Sequence, residues 1–275
     1  MTTKTPDIDA KTAAYAIIGR PVRHSLSPVM HNAAFGAMGI NAVYLAFETD
    51  DVEGACRAMR ALGIKGYSVT IPNKERIIGE LDKPDESARR IGACNTVKNI
   101  DGRLLGTNTD WLGAVKALQR KMTISGKRAV VLGAGGSARA VVFGLKQEGA
   151  KVTICNRTLK KAQRLAEEFD CDAAELTKAE TLEAEILINT TSVGMGKLKD
   201  ESPVSRKGVL NYQLIMDIVY SPLETLLLRY AKEAGKMVLN GLEMLLYQAC
   251  AQFEYWTDVE APEKTMKEAL QNAIK

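Results

Sequence analysis

Gly133-Ala134-Gly135-Gly136-Ser137-Ala138 stands between a compact apolar run, Arg128–Leu132, and a helical pattern. Glycines in that setting let the backbone turn tightly and approach a pyrophosphate, while the helix N-terminus supplies N–H groups and a positive dipole end. A ligand-free strand–helix turn could use the same glycines, so the residues downstream decide the matter. The next strand-like run ends at Cys155 and is followed by Asn156-Arg157-Thr158, with Lys160 and Lys161 close behind. Asn156 lies 23 positions after Gly133, where an NAD site ordinarily places an acidic residue for the ribose 2′-hydroxyl. Arg157 can instead stack on adenine and pair with a 2′-phosphate, and Thr158 can donate to it. Basic side chains at a helix start oppose the macrodipole, and a bound phosphate would relieve that conflict. NADP is therefore expected over NAD.

A second polar set lies nearer the N-terminus. In His24-Ser25-Leu26-Ser27-Pro28, two hydroxyls flank one leucine and could meet a carboxylate or a diol. Ser27 also reads as a helix N-cap with Pro28 at the first helical position. His31, one turn further, reads as a packing histidine. Ser68-Val69-Thr70-Ile71-Pro72-Asn73-Lys74 reads as a strand end followed by a helix start. Ligands gather outside the carboxyl ends of parallel strands, which puts Thr70 and Lys74 in the favoured place. A lone lysine is ordinarily solvated, and Asn95 and Asp110 ordinarily serve as turn residue and helix N-cap. Spacing alone does not bring these residues together.

The elements that must position them alternate short β-branched runs with helical patterns, the signature of parallel sheets with crossover helices. Strands are expected at Ala14–Ile18, Val43–Phe47 and Gly66–Ile71. Asn95–Asn99 and Arg103–Asn108, joined by Asp101-Gly102, read as a hairpin forming an antiparallel pair at the sheet edge. A new unit starts near Gly126, with strands Arg128–Leu132, Lys151–Cys155, Ile186–Asn189 and Leu214–Val219 and a helix at Leu159–Phe169. Pro222 is expected to open an amphipathic helix carrying Leu223, Leu226, Leu227 and Tyr230, and the chain closes with helices near Leu242–Trp256 and Pro262–Ala273. The fold class is α/β in two domains: a mostly parallel N-terminal α/β domain and a Rossmann-type dinucleotide-binding domain.

The 37 basic and 33 acidic residues give a net charge of +4, too little to argue for nucleic acid or a membrane surface. The five cysteines are scattered and never in a C-x-x-C spacing, which argues against a disulfide framework or a metal site. No apolar run approaches the roughly 18 residues of a membrane span, and residues 1–11 carry no apolar signal core. A soluble, cytoplasmic protein acting on small molecules is expected.

In this order, His24–Asn32, Ser68–Lys74, Gly92–Val97, Asn108–Trp111, Gly133–Ala138, Asn156–Thr158, Asn189–Met195, Asp217–Pro222 and Gly241–Ala249 closely resemble the shikimate dehydrogenase family. The resemblance runs from about Tyr15 to Gln252. It implies NADPH-dependent reduction of 3-dehydroshikimate to shikimate, with Lys74 and Asp110 as the catalytic residues that manage the proton transfer. Ser25, Ser27, Thr70, Asn95, Asp110, Tyr220 and Gln248 match the positions that hold shikimate. Gly133, Ala134, Gly135, Gly136, Ser137, Asn156, Arg157, Thr158, Lys161, Ile218 and Gly241 match the NADP contacts, and Glu86 is placed near the cofactor. The resemblance also implies a discontinuous substrate domain, 1–110 and 241–275, around an NADP domain at 111–240. Asn73 stands where histidine is frequent, and Lys161 where arginine is common; the latter keeps charge but loses bidentate geometry. Two rival readings are a quinate/shikimate dehydrogenase of the same family and a non-catalytic NADP-sensing regulator. The regulator would be expected to lack Lys74 or Asp110, and both are present. Oligomeric state is open, with a homodimer carried forward.

Overall fold

The computed structural model describes residues 8–274. The chain divides into two compact units, one up to Thr109 and again from Leu246, the other from Asp110 to Leu245.

The first unit opens with β1 (Ala13–Gly19), α1 (Ser27–Ala37), β2 (Ala42–Glu48), α2 (Val52–Ala61) and β3 (Gly66–Val69). It continues with β4 (Lys83–Pro84), α3 (Glu86–Ile91), β5 (Thr96–Ile100) and β6 (Arg103–Thr107). Its sheet has the order β2-β1-β3-β5-β6-β4, in which β5 alone runs opposite to the rest. Asp101 and Gly102 both take positive φ (51° and 85°), the two-residue turn that joins β5 to β6. The hairpin does not form the sheet edge, as its sequence suggests, because two-residue β4 pairs outside β6. β3 ends at Val69, two residues short of the apolar run, because Ile71 faces solvent at 66% exposure.

The second unit holds α4 (Asp110–Gln119), β7 (Arg128–Leu132), α5 (Gly136–Gln147), β8 (Lys151–Asn156), α6 (Leu159–Phe169) and β9 (Asp172–Glu175). Then come β10 (Ile186–Asn189), β11 (Leu214–Asp217), α7 (Leu226–Glu233) and β12 (Met237–Leu239). The sheet is parallel throughout, in the order β12-β11-β10-β7-β8-β9. Counted from β7, that is the 3-2-1-4-5-6 order of a doubly wound dinucleotide fold. β10 and β11 are buried at every residue, as strands covered on both faces must be. Pro222 does not open α7: Thr225 does, its Oγ1 accepting from the Leu228 N–H at 3.3 Å.

Two helices close the chain, α8 (Gly241–Thr257) and α9 (Glu263–Ala273), with the return to the first unit falling inside α8. In the first unit the Trp256 indole donates to the Val97 carbonyl at 2.9 Å and lies where Gly66 leaves room, since a Cβ there would sit 2.6 Å from Nε1.

Candidate active site

Each sheet reverses its winding direction between two strands, β1 and β3 in the first and β7 and β10 in the second. Crevices for ligands form outside the carboxyl ends at such points.

In the first unit, Gly19 ends β1 so close to its neighbour that a Cβ would lie 2.3 Å from Thr70 Cγ2 and 2.8 Å from the Ile71 carbonyl. Cross-links hold the three strand ends together. Arg20 N–H donates to Ile71 O (2.9 Å), Thr70 N–H to Ile18 O (2.9 Å) and Thr49 N–H to Gly19 O (3.0 Å). Asn73 is fully buried, and its Nδ2 donates to Thr49 O at 2.9 Å, which ties the Thr70–Lys74 segment to the end of β2. The Cys94 N–H donates to Lys74 O at 2.8 Å, so the loop that leads into β5 fixes the lysine backbone.

Ser27 is not the N-cap its sequence suggests. The cap position is Leu26 with no side-chain bond, and Ser25 Oγ accepts the Ser27 N–H at 3.2 Å. That leaves the Ser27 hydroxyl, buried at 3% exposure, outside the capping role. Asn95 is at the centre of a buried set. Its Oδ1 accepts from Thr109 N–H (2.7 Å) and Thr96 Oγ1 (2.8 Å), and its Nδ2 donates to Thr109 Oγ1 (3.0 Å) and Gln248 Oε1 (3.3 Å). Gln252, not singled out by the sequence, donates to Asn95 O and Thr96 Oγ1 at 3.0 Å each and accepts from Ser68 Oγ at 2.8 Å. Thr70, Lys74, Asn95 and Gln248 thus hang from one cross-linked corner of the first unit. Asp110 follows Thr109 directly as the buried first residue of α4 rather than as its N-cap. His31 is packed, as expected, against Tyr44 (4.6 Å, stacked) and Trp256 (5.1 Å). Burial pushes its imidazole down to about 3. Glu86 opens α3, exposed, with Arg90 one turn on at 3.7 Å.

In the second unit, Gly133 has φ +112° and a Cβ there would lie 2.7 Å from Thr190 Oγ1. Thr190, another residue the sequence does not single out, donates its hydroxyl to Leu132 O at 2.6 Å and closes the β7–β10 junction. Gly135 is the N-cap of α5 with no side-chain bond, and a Cβ there would find open space. The first α5 N–H groups have no side-chain cap, as an anion cradle requires. α6 likewise starts at Thr158 with no side-chain cap and no acid in its first turn, where Lys160 and Lys161 lie. Asn156 Nδ2 donates to Thr158 O at 3.0 Å and shapes that turn, with Arg157 and Thr158 exposed beside it. Ile218 and Gly241 are neighbours, since a Gly241 Cβ would lie 2.2 Å from Ile218 O. Burial raises the Tyr220 phenol above its ordinary value. The donor set and the missing Cβ atoms fit a dinucleotide phosphate chain, with cations where a further phosphate would sit. Among the described residues, no acid, cysteine and histidine cluster could hold a metal ion.

A doubly wound sheet, a glycine turn at its switch point and a second α/β unit with a polar corner define a dinucleotide-dependent α/β protein. Family models match three stretches: the shikimate dehydrogenase substrate binding domain at residues 17–97, shikimate / quinate 5-dehydrogenase at 116–219, and the shikimate 5′-dehydrogenase C-terminal domain at 241–271. A shikimate dehydrogenase (NADP(+)) of Pyrococcus furiosus is 45% identical over 264 residues, 94% of this chain and 96% of that one. Its counterpart in Geobacillus kaustophilus is 47% identical over 271 residues, 95% and 98% of the two chains. The Thermus thermophilus enzyme, solved with NADP(H) and shikimate, superposes with a TM-score of 0.89 at 38% identity over 95% of this chain and 100% of that one. The chain belongs to the shikimate dehydrogenase family.

Proposed function

We propose that this chain catalyses the reversible NADPH-dependent reduction of 3-dehydroshikimate to shikimate, a step of aromatic amino-acid biosynthesis. The observation that carries the reading is the pairing of a glycine turn at a dinucleotide switch point with a polar corner built around Thr70, Lys74 and Asn95. The supporting relatives are named for the same reaction and cofactor.

In this reading residues 1–110 and 241–275 bind substrate and 111–240 bind NADP. Bound NADPH supplies the hydride. Gly133, Ala134, Gly135, Gly136 and Ser137 cradle its pyrophosphate on the α5 N-terminus, while Asn156, Arg157, Thr158 and Lys161 take the 2′-phosphate. Ile218 and Gly241 line the same ligand, with Glu86 near it. Ser25, Ser27, Thr70, Asn95, Tyr220 and Gln248 hold the carboxylate and hydroxyls of the ring. A ketone that accepts hydride develops alkoxide charge, so a cation that can also donate a proton stabilises the transition state. Lys74 fills that role, and Asp110 orients its ammonium and shares the ring hydroxyls. The reverse direction returns the proton to Lys74.

A steady-state assay with shikimate or quinate, each with NADP or NAD, tests the reading. Turnover is expected with shikimate and NADP, with quinate and NAD weak. Equal use of quinate would favour a quinate/shikimate dehydrogenase, and no turnover with any pair would favour an NADP-sensing regulator. A neighbour from Listeria monocytogenes was solved with shikimate and NAD, which makes the NAD arm informative. Arg157→Ala should lower the NADP over NAD preference about tenfold, the worth of one charge-assisted phosphate contact.

Residence in the cytoplasm is part of the same proposal. Among the described residues no helix is long and apolar enough to cross a membrane. A homodimer is proposed through β2, an edge strand that leaves Leu45 and Phe47 each 42% exposed on one face. Sedimentation of the wild type against Phe47→Lys would give the same monomer mass for both if that edge is idle.

A further inference from the structure

Asp217 ends β11 in register with Asn189 at the end of β10, and both side chains are fully buried. A buried carboxylate is costly unless its oxygens are well occupied. Here three donors occupy them. Asn189 Nδ2 and the Val219 N–H donate to Oδ1 at 3.0 Å each, and Thr225 Oγ1 donates to Oδ2 at 2.7 Å.

Each of those donors belongs to a different piece of the crevice wall. Asn189 organises the loop after β10: its Nδ2 also donates to Val193 O at 3.0 Å, and its Oδ1 accepts from the Thr191 N–H and hydroxyl at 3.0 and 2.7 Å. Thr225 caps α7. Val219 lies in the segment that follows β11, where Ile218 N–H donates to Asn189 O at 3.1 Å and Val219 O accepts the Gly241 N–H at 3.3 Å. Gly194 takes φ +100°, and a Cβ on it would lie 3.1 Å from Thr225 Cγ2 and 3.7 Å from Asp217 Oδ2. One carboxylate thus joins two loops, a helix cap and the Ile218–Gly241 contact.

We propose that Asp217 is a positioning residue for the cofactor: it touches no ligand but fixes the backbone of Ile218 and Val219 against Gly241 and the 190–195 loop. The proposal rests on the reading above, in which Ile218 and Gly241 line the NADP site. An amide at this position could keep most of the geometry, because its oxygen can take Asn189 and Val219 while its NH2 donates to a rotated Thr225 hydroxyl. A methyl group could keep none of it.

Calorimetric titration of NADP+ into the folded full-length protein, without shikimate, separates placement from folding. Asp217→Ala should weaken the Kd on the order of tenfold, with stoichiometry held near one site per chain; displaced contacts have effects of that size or larger. Asp217→Asn should stay within about threefold of wild type. A merely structural role would lower the stoichiometry, as molecules unfold, and leave the Kd of the remainder unchanged. Should Asp217→Ala fail to fold, Thr225→Val removes one of the three bonds and should still raise the Kd roughly threefold. A wild-type Kd in Asp217→Ala, or in Thr225→Val where that is the variant that folds, overturns the proposal. A wild-type chain that binds no NADP+ would instead sink the cofactor reading beneath it.

Discussion

The two switch points are made the same way and used differently. In both units the first strand runs out into a glycine pressed against the threonine that follows the strand across the reversal, Gly19 against Thr70 and Gly133 against Thr190. In the proposed reading, the Gly133 corner meets the pyrophosphate with backbone N–H donors of a helix start without a side-chain cap, and adds side chains only at the second such start, where Arg157, Thr158 and Lys161 lie. The Gly19 corner would instead offer side chains: hydroxyls, two amides and an ammonium from four separate segments, 25–27, 70–74, 95 and 248, with a buried hydrogen-bond set around Asn95. A phosphate chain is a repeated anion that main-chain donors can serve in any protein. A small ring with a carboxylate and several hydroxyls needs directional side chains, each with its own support.

The largest test of that contrast removes one side chain. Lys74→Met should cut kcat by about 10³-fold, within the range for losing a general acid–base group, while NADP+ Kd is unchanged. Near-normal turnover would mean that the polar corner binds but does not react.

The next test exchanges the glycines. Gly19→Ala puts a methyl against Thr70 Cγ2 and the Ile71 carbonyl, so Thr70 must shift. Shikimate KM should rise roughly tenfold or more, with a stability loss of about 1–3 kcal/mol from overpacking. Gly133→Ala adds a Cβ where φ is +112° and Thr190 Oγ1 is 2.7 Å away. It should weaken NADP+ by a similar factor and leave shikimate binding alone. If each substitution disturbs both ligands equally, the two corners are not separate devices.

The same contrast decides what the sequence makes legible. The backbone-built site is contiguous, so the glycine turn, the strand before it and α6 can be read with their observed limits, Arg128–Leu132 and Leu159–Phe169. The side-chain site is not contiguous, and only resemblance to a family joins Lys74 to Asp110 and Gln248. Ser27 and Pro222 mislead because each is a plausible helix starter with a better one nearby: Ser25 Oγ takes the Ser27 N–H, and Thr225 caps α7. β4, β9 and β12 escape because Lys83-Pro84, Asp172–Glu175 and Met237–Leu239 are too short or too polar to show a period of two. Gln252 escapes for another reason: its partners, Ser68, Asn95 and Thr96, lie more than 150 residues away, and nothing local marks it. Asp217 falls inside the Asp217–Pro222 stretch, but its bond to Asn189 on the neighbouring strand has no local sign.

The smallest effect sharpens the comparison most, because the two units should answer acid with opposite signs. Burial holds His31 of the first unit near 3, below its ordinary 6.5, so below pH 6.5 the unfolded chain takes the proton and the folded one does not. Its stabilising share is present above pH 6.5 and is lost as pH falls towards 3, by about 1.4 kcal/mol per unit. Asp217 of the second unit is held near 6, above its ordinary 3.8, so between those values the folded chain carries the extra proton. Its share is full below pH 3.8 and is lost as pH rises through 6. Going from pH 7 to pH 5, His31 should cost about 2 kcal/mol and Asp217 return about 1.4, leaving the intact protein nearly flat from this pair. Denaturant titrations at the two pH values on variants expose the halves. Asp217→Asn should become acid-sensitive by about 1.4 kcal/mol relative to wild type, and His31→Phe should become acid-tolerant by about 2 kcal/mol. Two variants that track the wild-type pH profile would show that neither buried group titrates as its surroundings require.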